Sequence, residues 1–128
     1  KQKPLVLLTS NNTRNLSDAL RRRCLHLHIP FPEAALESRI VHSRVPDLPE
    51  QLRGQLVAFV HSLRELDLKK PPAISETIDW ARSLLLLHAA SLSRELVDDS
   101  LNVLLKHEED LAMARSTMHE LLRDAQRR

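Results

Sequence analysis

Two groups of side chains near the start of the chain have the chemistry to bind an anion. The first is the polar cluster Thr9–Asn12, which directly follows the apolar run Leu5–Leu8. The second is a run of three arginines, Arg21, Arg22 and Arg23. Amides and hydroxyls donate hydrogen bonds to phosphate oxygens, and guanidinium groups bind phosphates through paired donors without losing their charge. The two groups together indicate recognition of a phosphate or a similar anion.

Both groups also have an ordinary structural interpretation, which the sequence leaves open. Asn and Ser are favoured in turns. Basic side chains are common at the end of a helix, where they stabilise the helix dipole.

The elements that must position these groups are two strands and a short helix. Leu5–Leu8 is typical of a strand buried in a parallel sheet, and ligands bind beyond the carboxyl ends of such strands. Ser17 and Asp18 are N-cap candidates for a helix that ends at Arg23. Leu25–Ile29 predicts a second strand. Two strands are marginal alone, and the chain begins without Met, so we expect a C-terminal fragment whose other strands lie upstream.

The rest of the chain predicts a helical bundle, and the fold class is therefore mainly α. Leu-rich composition with a single glycine favours helices. We expect a segment boundary at residues 32/33 and four to five helices in 33–128. They run from about Glu33 to Arg44, Glu50 to Leu66 and Ser75 to His88, with another after the N-cap Ser93 and a helical stripe from Leu111 to Ala125.

Four further features of the sequence are weaker indications of a functional site. His26 and His28 share one face of the second strand, but no third ligand lies at a supporting spacing, so no metal site is predicted. Cys24 is interpreted as packing. Trp80 is expected to anchor the core or an interface. Lys69 and Lys70 fit a solvated loop better than a phosphate contact.

Composition narrows the function classes. The net charge of +2 is too small to indicate nucleic-acid binding. No apolar run approaches the roughly 20 residues that a membrane-spanning helix needs, and we expect no signal peptide. One cysteine fits a reducing compartment, so a cytoplasmic location is expected.

The stretch TSNNTRNLSDALRRRCLHLHIPFP resembles the second half of an AAA+ ATPase core, and it is most similar to the MoxR-type branch. In that family a strand ends in a polar sensor 1 residue, a short helix carries an arginine finger, and a further strand leads to a helical lid. The resemblance implies that Asn11, or alternatively Asn12, is sensor 1. It implies that Arg23, or alternatively Arg22, is the arginine finger. Arg22-Arg23-Cys24 is also similar to the Ser-Arg-Cys ending of clamp loaders.

The sequence departs from the family pattern at two places. Where relatives carry a sensor 2 arginine, the nearest residue is Glu76, and Arg82 lies almost two turns further along. No GxxxxGK[ST] loop and no Walker B acidic run occurs in the sequence. We therefore expect the fragment alone to be inactive and to bind no nucleotide tightly, while the full-length protein would use ATP and Mg²⁺.

The resemblance implies an ATPase that couples ATP binding and hydrolysis to chaperone-like remodelling or maturation of a partner protein. Neighbouring AAA+ subunits, in a hexamer, and a protein with a von Willebrand factor A domain are the implied partners. The alternative function is a non-enzymatic helical interaction module. In that case the stripe from Leu111 to Ala125 would form a coiled-coil-like contact.

Overall fold

The chain divides into two units, Lys1–Pro30 and Phe31–Arg128. The computed structural model describes residues 3–9, 17–25, 27 and 29–127. The first unit contains one helix among its described residues, and the second contains six. In chain order the helices are α1 Asp18–Arg23, α2 Ala34–Arg44, α3 Glu50–Arg64, α4 Ile74–Leu86, α5 Arg94–Leu104, α6 Glu108–Ser116 and α7 Met118–Gln126.

Helix α1 begins where the sequence predicts. The hydroxyl of Ser17 accepts a hydrogen bond from the backbone N–H of Leu20 at 3.2 Å, which satisfies one of the free donors of the first turn. Asp18 lies in the first turn and the three arginines lie in the last, so the charges complement the helix dipole at both ends. Ser17 is therefore the N-cap of α1.

The predicted strand–helix–strand arrangement is not supported. No strand occurs among the described residues of either unit, and Leu5–Leu8 and the described part of Leu25–Ile29 have no regular secondary structure. Their apolar side chains are exposed, Leu5 at 89% and Ile29 at 80%. A strand forms only with a neighbour that accepts its backbone hydrogen bonds, and the described residues supply none.

Helix α3 lies at the centre of the second unit. It packs against α2, α4 and α7, and α5 packs against α4, α6 and α7. The core is aliphatic apart from Phe59 and Trp80, whose ring centroids are 5.4 Å apart. Trp80 is fully buried, and its indole N–H donates to the Ser100 hydroxyl at 2.8 Å. Trp80 is therefore a core residue, one of the two roles expected of it.

The start of α4 differs from the prediction, and that of α5 confirms it. Ser75 is not an N-cap: α4 begins at Ile74, and the backbone N–H of Ala73 donates to the Glu76 carboxylate at 3.1 Å. The start of the helix is stabilised instead by a carboxylate at the third helical position, which reaches back to the backbone N–H of the N-cap residue. Ser93 caps α5 as predicted, since its hydroxyl accepts from the N–H of Leu96 at 3.2 Å.

The C-terminal stripe lies on two helices rather than one. Helix α6 ends at Ser116 and α7 begins at Met118. The hydroxyls of Ser116 and Thr117 both donate to the carbonyl of Met113, at 2.7 and 3.0 Å. Hydroxyls that bind backbone carbonyls one turn back compete with the helical hydrogen bonds and bend the chain. The apolar residues of α7 are buried inside the unit, so they are not available for a coiled-coil contact while it is folded.

No helix in the described part of the chain is both long enough and apolar enough to cross a membrane.

Candidate functional site

The structure describes three of the five predicted site residues. Asn11 and Asn12, the sensor 1 candidates, lie outside the described residues, as do His26 and His28. Arg22 and Arg23 lie on α1 in the first unit, and Arg82 lies on α4 in the second.

Arg22 and Arg23 form the basic end of α1 together with Arg21. All three side chains are exposed. None of the three makes an ion pair with another described residue, and this includes Asp18 in the first turn of the same helix. The guanidinium groups can therefore donate to an anion supplied from outside this segment, which is what an arginine finger requires.

Arg82 has a different environment. Its side chain is 55% exposed, and its Nη1 atom lies 4.0 Å from Oδ1 of Asp79, one turn earlier on α4. An exposed ion pair of this length is weak, so it leaves the guanidinium able to bind other anions. The geometry neither orients Arg82 toward a particular ligand nor buries it in a pocket.

Glu76, the residue nearest to the expected sensor 2 position, stabilises the start of α4. Its carboxylate accepts from the Ala73 N–H and, at 2.9 Å, from the Ser75 hydroxyl. Burial raises the pKa of Glu76, but these hydrogen bonds and the charge of Lys70 outweigh it, and the pKa falls below 4.5. The residue is therefore an ionised cap.

Sequence reasoning missed a buried ionic network that joins α2, α3 and α4. Glu37 on α2 is fully buried, and its carboxylate accepts two bonds from Arg64 of α3, at 2.5 and 2.9 Å. His61, one turn before Arg64, lies 2.8 Å from the same carboxylate through Nε2. Arg64 also lies 3.4 Å from the Thr77 hydroxyl. Glu37 is thus held as an anion by a fork of donors.

Arg64 also ties down two irregular segments. Its Nε atom donates to the carbonyl of Pro72 at 2.8 Å, in the connection that leads to α4. The guanidinium carbon lies 4.4 Å from the centre of the Phe31 ring, at the first residue of the second unit. A cation over an aromatic face is favourable, so Arg64 fixes the entry of the chain into the helical unit.

The buried polar atoms of the network are satisfied by one another. Burial raises the pKa of Glu37, but the hydrogen bonds and charge of Arg64 outweigh this effect, and the pKa falls below 4.5. No buried side-chain nitrogen or oxygen in the described residues lacks a partner. The sequence contains one signal of the buried ionic network: Glu37 lies four residues before Val41, so the two residues share the inward face of α2.

Lys69 and Lys70, which were predicted to lie in a solvated loop, lie in the α3–α4 connection and are bound by residues of α6. The backbone N–H groups of Lys69 and Lys70 donate to the two carboxylate oxygens of Asp110, at 2.8 and 3.1 Å. Asp110 is 2% exposed, and the ammonium of Lys69 lies 3.1 Å from Glu109. This arrangement braces the connection between α3 and α4.

No group of three or more metal-binding side chains is present in the part of the chain that the structure describes. Comparisons with protein-family models, curated proteins and solved structures found no match to this chain.

Proposed function

We propose that this chain is the C-terminal part of a MoxR-like AAA+ ATPase, comprising the end of the ATPase core and the helical lid. The observation that carries the proposal is α1, a short capped helix with three exposed arginines at its end. Further along the chain, from Phe31, comes a six-helix unit, which fits the order in which the family has its lid after the finger. Exposed apolar residues on both sides of α1 fit strands whose sheet partners belong to the rest of the core.

In this proposal Arg23, with Arg22 as the alternative, reaches the nucleotide of a neighbouring subunit. A guanidinium there neutralises the charge that develops on the transferred phosphoryl group. Asn11, with Asn12 as the alternative, faces the γ-phosphate of its own subunit and places the attacking water. Arg82 belongs to the lid and would contact the nucleotide from that side.

The full protein would bind ATP and Mg²⁺ through segments that this sequence lacks. It would act as a cytoplasmic hexamer that remodels or matures a partner protein, and a protein with a von Willebrand factor A domain is the proposed partner. Because the finger acts in trans, hydrolysis would depend on assembly of the ring.

The test is Arg23→Ala in the full-length protein, with Arg21→Ala as the matched control on the same helix. We expect ATP turnover to fall by about 10³-fold with hexamers intact, as for other arginine fingers, whereas the control retains turnover. Mixing Arg23→Ala subunits with subunits that lack the phosphate-binding lysine should restore part of the activity. Normal turnover by intact Arg23→Ala hexamers would refute the assignment of Arg23 as the finger.

A second candidate, a non-enzymatic helical interaction module, is favoured by the location of the core. Every buried apolar residue among the described ones lies in the second unit. Titration of the 128-residue chain with Mg²⁺ and ATP does not separate the two functions, because both predict no tight binding. Turnover by the full-length protein separates them.

A further inference from the structure

A shallow groove on the second unit has a strongly basic lining. It lies where α7 passes the start of α5, two helices that pack against each other. Four of its six lining residues are arginine or histidine, and the set is Arg94, His119, Leu122, Arg123, Gln126 and Arg127. We call this surface the α5–α7 groove.

The periodicity of α7 explains why these residues converge. His119, Arg123 and Arg127 follow one another at intervals of four, which places them along one face of the helix. Arg94 is the first residue of α5, so the positive end of that helix dipole adds to the field of the arginines. The basic side chains are therefore collected by two regular elements rather than by a loop.

The floor and one wall of the groove are held by the core. Leu122 is 7% exposed and supplies an apolar floor. The side-chain amide of Gln126 donates to the carbonyl of Leu92 at 3.2 Å. The N–H of Leu92 in turn donates to Gln55 of α3 at 2.9 Å. The groove is thus anchored to the central helix of the unit.

The cations of the groove are not neutralised within the unit. Arg94, Arg123 and Arg127 make no ion pair with any residue that the structure describes. The neighbouring acids Glu95 and Asp124 do not line the groove. An anionic ligand here would meet three guanidinium groups, each able to donate two parallel hydrogen bonds to a carboxylate.

We propose that the α5–α7 groove binds an acidic peptide segment of a partner protein, one that carries both carboxylate and apolar side chains. Charge complementarity and the apolar floor at Leu122 favour a peptide over free phosphate. A nucleic acid is disfavoured because the lining contains no Phe, Tyr or Trp ring on which a base could stack, and the net charge of the chain is only +2. This inference does not depend on the proposed ATPase function.

The experiment measures binding of a fluorescein-labelled peptide that contains both Glu and Leu to the 128-residue chain by fluorescence anisotropy. The variant is Arg123→Gln with Arg127→Gln. The matched control is Arg39→Gln with Arg44→Gln, which removes the same charge from exposed positions of α2. We expect the groove variant to weaken binding at least about fivefold, as the loss of two charge contacts predicts, and the control by less than about twofold.

Two further measurements sharpen the result. Raising the ionic strength should weaken binding of the native chain, and a peptide with Gln in place of Glu should not bind. Equal loss in the groove and control variants would overturn the proposal, as would equal binding of the Gln peptide. Stronger competition by single-stranded oligonucleotide or by inorganic phosphate than by unlabelled acidic peptide would also overturn it. Circular dichroism establishes that both variants stay folded.

Discussion

The buried carboxylate of Glu37 makes the stability of the helical unit sensitive to acid. It accepts both bonds of the Arg64 fork with no exposure to water. Removing one partner of such a pair is costly because it leaves the other charge buried and unpaired. The pair therefore stabilises the arrangement of α2 and α3 only while Glu37 is ionised.

The pH dependence of stability follows from the pKa of Glu37, which lies below 4.5 in the folded chain. The unfolded state takes up the proton more readily, so this contribution is fully present above the unfolded pKa and is lost as pH falls through the folded one. Glu37→Gln should lower the free energy of unfolding by about 3 kcal/mol at pH 7. The difference from the native chain should shrink as the pH falls below 4.5. Urea unfolding between pH 7 and pH 3 measures this.

The control is Glu120→Gln, which removes one negative charge from an exposed position of α7. It corrects for the effect of net charge on acid stability. If the Glu37→Gln difference is the same at every pH, the ionised pair is not the source of the stability. If the two variants behave alike, burial of Glu37 has no consequence.

The individual helices show which parts of the fold can be predicted from the sequence. Capping and apolar spacing are local signals, so Ser17, Ser93 and the positions of α2 to α5 follow from the sequence to within a few residues. Capping and apolar spacing do not predict the break between α6 and α7 at Thr117. The apolar period continues across it, and the competing bonds to Met113 depend on hydroxyl orientation.

Helix α5 provides a direct test of capping. Ser93→Ala removes the acceptor for the Leu96 N–H and should destabilise the unit by about 1 kcal/mol. Ser91→Ala is the matched control, because Ser91 is an exposed serine two residues earlier that makes no cap. Urea unfolding followed by Trp80 fluorescence measures both variants, since Trp80 donates to Ser100 on α5 itself. Equal stabilities for the two variants would show that the cap contributes nothing.

At the scale of the whole molecule, long-range pairing separates what the sequence predicts from what it does not. Arg64 contacts Glu37 across 27 positions and Asp110 binds Lys69 across 41. No local pattern encodes such pairs. The prediction of two strands was not supported for a related reason, since the backbone partners that such strands need are not among the described residues. Of the candidate site, the exposed arginines Arg22 and Arg23 are described, while the sensor 1 candidates lie outside the described residues.

The location of the core predicts that the second unit is stable without the first. The buried apolar residues among those described all lie beyond Phe31, whereas Leu5 and Ile29 are exposed. Residues 31–128 alone should therefore unfold cooperatively. Their free energy of unfolding should lie within about 1 kcal/mol of that of the whole chain, because deleting exposed residues removes little packing.

A chain of residues 33–128 also lacks Phe31. Its free energy of unfolding should be lower by a further 1 kcal/mol or so, because the cation–aromatic contact to Arg64 is lost. Urea unfolding, followed by the fluorescence of Trp80, compares the three chains. A large loss in 31–128 would mean that the first unit contributes to the core, and equal stability of the two shortened chains would mean that Phe31 does not secure the entry to the helical unit.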